Sequence, residues 1–107
     1  MENHDKLSAT VFWPADLISP SREEVIQLPL DAAERTRRLR EIAGGPLQAI
    51  PIQPSRYLVF NEEGKLDAHS VNIEATMIAS IHEAIAMDDY IAGPAVLVQT
   101  EILCDSL

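Results

Sequence analysis

Ala95-Val96-Leu97-Val98 is an unbroken apolar run, preceded by Gly93-Pro94. A strand turns successive side chains to opposite faces. A run with no polar alternation therefore needs cover on both faces, as a central strand with a parallel neighbour has. Gly93-Pro94 marks a bulge or bend at its entry. No strand of this kind is stable alone, so the rest of the chain must supply flanking strands and something to lie over them.

The remaining strands can be read from composition and breaks. "LSATVFW" (7–13) is β-branched and aromatic, and Pro14 closes it. The chain turns through Ser19-Pro20-Ser21, and "EEVIQL" (23–28) returns as the partner of a long-looped hairpin. "PLQAIPI" (46–52) carries Pro51, which cannot donate to a ladder and belongs on an edge or facing outward. "RYLVFN" (56–61) follows after Gln53-Pro54-Ser55.

Two segments have helical periodicity. In the helix predicted over 32–43, Asp31 can accept from the free amides of the first turn, and Glu34 completes a capping-box-like pair. Ala32, Thr36, Leu39 and Ala43 form its inward stripe, leaving Arg35, Arg37, Arg38 and Glu41 to water. Glu34 and Arg38 have the favourable four-residue spacing, so the arginine cluster reads as a solvated face rather than a phosphate patch. Gly44 supplies a left-handed C-terminal residue and Pro46 forbids continuation. A second helix is predicted over 73–87, capped by Asn72. Ile73, Met77, Ile78, Ile81, Ala84 and Ile85 make its apolar face, opposite Thr76, Ser80 and Glu83.

The resulting order is β-β-α-β-β-α-β. With the last strand placed centrally beside the first, it implies an α+β fold resembling a β-grasp: a single mixed β-sheet with helices on one face. Another two-layer α/β sandwich is the alternative. The 107 residues favour one domain, with residues 1–6 as a polar tail rather than a secretory signal. A chain of this length buries roughly 65% of its unfolded surface, enough for a core without staples or metals. No apolar run approaches the roughly 20 residues that span a bilayer. Cys104 is the only cysteine, which excludes an intramolecular disulfide and makes the cytoplasm the expected compartment.

Charge is unevenly placed. Residues 1–60 hold eight acids against seven bases, whereas residues 61–107 hold nine acids against Lys65 alone. The downstream half repels nucleic-acid phosphate; it reads either as a solvated acidic surface or, more sharply, as an acidic face that meets a partner with a basic surface.

At the boundary, Asn61-Glu62-Glu63-Gly64 has Asn at the first and Gly at the fourth position of a type I turn with a left-handed bulge residue. Lys65-Leu66 would begin a return strand. Adjacent carboxylates in such a turn diverge into water, so the pair reads as a hairpin tip rather than an acid–base couple. Other constellations fail on spacing. His82-Glu83 has Ala86 where a zinc-binding helix needs a second histidine. Asp67 and His69 with Ser70 or Ser80 lack a strained nucleophile turn. Glu83, Asp88 and Asp89 lack the alternating oxygens and glycine turn of a calcium loop. No phosphate-cradling glycine motif is present, and Phe12, Trp13, Tyr57 and Phe60 read as core rather than as a base-stacking platform.

Four short stretches carry a family resemblance: "EIAGGPLQAIPI", "YLVFNEEGKL", "VNIEAT" and "DDYIAGPAVLV". Gly44-Gly45, Asn61 to Lys65, Asn72 with Ala75-Thr76, and Asp89 to Gly93 occur in an order similar to the domain-of-unknown-function family numbered thirty-eight forty-six, across residues 40–100. The resemblance implies a small protein of phages, plasmids or bacteria, from mobile-element neighbourhoods that include anti-restriction genes. It brings no activity and no catalytic residue. The helix between Thr76 and Asp88 reads as fuller than in shorter members.

Together these readings predict a non-enzymatic protein-interaction module, used by a mobile element to modulate a host or defence protein, with no cofactor and no metal. Its candidate acidic surface comprises Glu62, Glu63, Asp67, Glu74, Glu83, Asp88 and Asp89. The alternative is a small enzyme or small-molecule binder with a pocket between sheet and second helix, using Asn72 and His82 as polar groups. Self-association through a strand edge near Pro51 is a third expectation.

Overall fold

The structure, a computed structural model, describes residues 6–66 and 70–100. Its elements are β1 (Lys6–Trp13), β2 (Arg22–Pro29), α1 (Ala32–Ala43), β3 (Leu47–Ile52), β4 (Arg56–Asn61), α2 (Ile73–Ile81) and β5 (Ala95–Gln99). The strands form one sheet in the order β2-β1-β5-β4-β3. The α+β class and the central place of the last strand beside the first are as predicted. Pro51 is exposed on β3, an edge strand, where its missing donor breaks no interior ladder.

The sheet differs from the expected mixed one, for every pairing is antiparallel. β4 leaves the sheet at Asn61, and β5 re-enters beside it with Ala95 opposite Phe60. The whole segment between them is therefore an excursion that starts and finishes at the same end of the sheet, and a strand returning that way must run antiparallel.

The helices also lie on opposite faces rather than one, giving three layers rather than two. Val11, Val96 and Val59 are in register across three strands and share a core with Leu39 and Ile42 of α1. Their sequence neighbours Phe12, Ala95 and Phe60, also in register, share a second core with Ala75 and Ala79 of α2. A helix on each side explains the unbroken run at β5, with no parallel neighbour needed. Of the four aromatics expected in the core, Phe12 and Phe60 are buried, while Trp13 and Tyr57 are partly buried against the α1-side cluster.

α1 starts and stops where its signals place it. The Asp31 carboxylate accepts from the Glu34 amide at 3.0 Å, and Gly44 closes the helix at φ 86°. Its inward face differs from the predicted stripe. Arg35, expected in water, is 2% exposed, and its Nη1 donates to the carbonyls of Pro29 (3.0 Å) and Leu30 (2.6 Å). A buried guanidinium is stable only with its donors satisfied, and these carbonyls of the β2–α1 connection help do so. On the wet side, Glu34 approaches Arg37 and Arg38 approaches Glu41, both at three-residue rather than four-residue spacing.

α2 ends at Ile81, well short of the predicted residue 87. The amide of Ala84 reaches back to the Ala79 carbonyl at 2.8 Å, and that of Glu83 to Ser80 at 3.0 Å. This is a Schellman closure with Glu83 in the left-handed position at φ 55°. The helix is also rolled relative to prediction. The small Ala75 and Ala79 are buried against the sheet, whereas Ile73, Met77 and Ile81 are exposed.

Candidate functional site

At the end of the sheet where β4 leaves and β5 enters, the segments that carry the sequence motifs meet. The Asn61 side chain accepts from the Glu63 amide at 2.7 Å, and its carbonyl accepts from Gly64 at 3.1 Å, which forms the predicted turn. Two details differ from prediction. Lys65 and Leu66 remain in the turn and begin no return strand. Gly64 also lacks the positive φ of a bulge residue. A β-carbon there would fall 2.5 Å from the Ala92 carbonyl oxygen, so close approach demands glycine. Beneath the turn, Gly45 faces the Asn61 side chain, and the Glu62 amide donates to the Pro46 carbonyl at 2.8 Å.

The turn is tied laterally to the stretch before β5. Lys65 Nζ donates to Asp89 and lies 4.5 Å from the centre of the Tyr90 ring. The hydrogen bond to Asp89 holds the Lys65 ammonium above its usual pKa, with the charge of Asp88 acting in the same direction. Conversely, Lys65 holds the Asp89 carboxyl below its usual range, helped by the Tyr90 amide.

Asn72 closes the other side. It is 1% exposed, and its amide nitrogen donates to the carbonyls of Phe12 (2.7 Å) and Gly93 (2.9 Å) while its oxygen caps α2 through the Ala75 amide (3.1 Å). The Ile91 amide donates to Thr76 Oγ1 at 2.9 Å, and the Asn72 amide donates to the Ile91 carbonyl at 2.8 Å. Thr76, predicted on the helix's outer side, is thus turned inward. Gly45, the 61–65 turn, Asn72, Thr76 and the 89–93 stretch thereby form one bonded latch.

Of the predicted acidic surface, Glu62, Glu63, Asp88 and Asp89 gather at this end; Glu62, Glu63 and Asp88 are exposed. Glu83 lies apart at the close of α2, and Glu74 lines a separate groove with Phe12, Glu23 and Arg56. Asp67 lies outside the described residues, as do His69 and Cys104. Among the described residues, no three His, Cys, Asp or Glu side chains converge in a way that could hold a metal ion.

A cleft of about 110 Å³ opens beside the latch, between Gln48, Asn61, Lys65, Ile85 and Tyr90. It is well below the ~300 Å³ of small ligand pockets. Between sheet and α2, Ala75, Ala79, Ile78 and Ile85 pack in a core with Ile50, Ile52, Leu58 and Phe60, whereas a groove of about 460 Å³ opens between Phe12 and Leu97 of the sheet and Met77, Ile78 and Ile81 of α2; the polar atoms of Asn72 are engaged internally. Ile81, expected there too, is exposed along the wall of that groove. This groove lies where the alternative reading places a pocket, between the sheet and α2, but its lining includes neither Asn72 nor His82. Ala75 and Ala79, small residues at helical spacing, face the sheet in place of the predicted stripe of isoleucines.

Comparison of the chain with protein-family models, with curated proteins and with solved structures returned no match. Among the described residues, no helix is long and apolar enough to cross a membrane.

Proposed function

We propose that the chain is a non-enzymatic protein-interaction module whose acidic end engages a partner with a basic surface. One observation carries the reading. Lys65 is the only lysine or arginine after residue 60, and its charge is paired with Asp89 and lies over the Tyr90 ring. The carboxylates of Glu62, Glu63 and Asp88 face solvent around it on a hydrogen-bonded scaffold. Charges fixed on a rigid support lose little freedom on binding and steer an oppositely charged partner. They repel nucleic-acid phosphate. The family resemblance extends this proposal to a mobile-element protein acting on a host or defence protein in the cytoplasm.

The test compares the wild-type chain with an E62Q/E63Q/D88N variant as bait for bacterial cytosolic proteins, at rising ionic strength. Raising salt from about 0.1 M to about 1 M shortens the screening length from roughly 10 Å to roughly 3 Å. Wild-type bait is expected to retain a basic protein at the lower salt and release it at the higher, with the variant retaining none. Binding indifferent to salt and to the substitutions would remove the proposal.

A further inference from the structure

We draw no further inference here: the strongest candidate, the apolar groove beside α2 with Phe12 and Leu97 as its floor and Met77 and Ile81 along its wall, carries nothing, because nothing in the structure shows what covers it.

Discussion

Gly64 stands so close to Ala92 that a β-carbon on it would lie 2.5 Å from the Ala92 carbonyl oxygen. The obstacle is backbone, which cannot swing aside as a long side chain can. Gly64→Ala must therefore separate the 61–65 turn from the 89–93 stretch. Overpacking of this kind costs about 1–3 kcal/mol. Urea unfolding followed by tryptophan fluorescence should show a lower midpoint, and a midpoint equal to wild type would mean the approach is looser than described.

Asn72 joins three parts of the chain that lie far apart in sequence: the end of β1, the start of α2 and Gly93. Asn72→Ala removes a cap worth about 1 kcal/mol and leaves two carbonyls without their buried donor, at about 1–3 kcal/mol in all. Asn72→Asp should be no rescue, because its carboxylate can still cap α2 but faces the carbonyls of Phe12 and Gly93 with no donor. Thermal unfolding of both variants checks this. If Asp restores the melting temperature that Ala loses, the cap alone matters and the two donated bonds do not.

Glu83 holds a left-handed conformation at φ 55° that glycine adopts without strain. An L residue there loses about 1–2 kcal/mol relative to the right-handed region, and glycine's greater freedom in the unfolded chain offsets part of the gain. Glu83→Gly should therefore stabilise the chain by about 0.5–1 kcal/mol. It should also leave the Schellman closure intact, visible as unchanged amide-exchange protection at Ala84. A destabilised variant would show that the Glu83 side chain makes a contact worth more than the strain.

The Lys65–Asp89 pair gives stability a defined pH window. The carboxyl pKa is depressed in the folded chain, so its contribution is present above the unfolded value of about 3.9 and is lost as pH falls through the folded one. The ammonium pKa is raised, so its contribution is present below about 10.4 and is lost as pH rises through the folded value. Both side chains are substantially exposed, which limits the pair to about 0.2–1 kcal/mol. The stability difference between wild type and Asp89→Asn should be greatest between roughly pH 4 and pH 10 and should shrink below that range. A difference independent of pH across an acid titration of the melting temperature would assign the effect to packing instead.

Much of the candidate site was legible as local chemistry. Asn61 ahead of Gly64 announced a turn, and Asn72 ahead of an apolar run announced a helix start, because both motifs act within four residues. Their second roles were not legible. That Gly64 abuts Ala92, that Asn72 donates to Phe12, and that Thr76 receives the Ile91 amide all join segments well separated along the chain. No spacing rule reaches that far.

The extent of α1, the positions of the five strands, both helix N-caps, the edge or outward place of Pro51 and the need to cover β5 on two sides were written in the order of the residues, since each follows from interactions between near neighbours or from backbone geometry. Packing alone settled which side of each element turned inward. α2 sets alanines against the sheet because Ile50, Leu58 and Phe60 already occupy the space beneath it, which leaves its larger side chains outside. Arg35 is buried because the turn from β2 brings the carbonyls of Pro29 and Leu30 within its reach. A periodic pattern tells a helix that it has faces; the volume and hydrogen-bonding groups offered by the opposing layer decide which face is used.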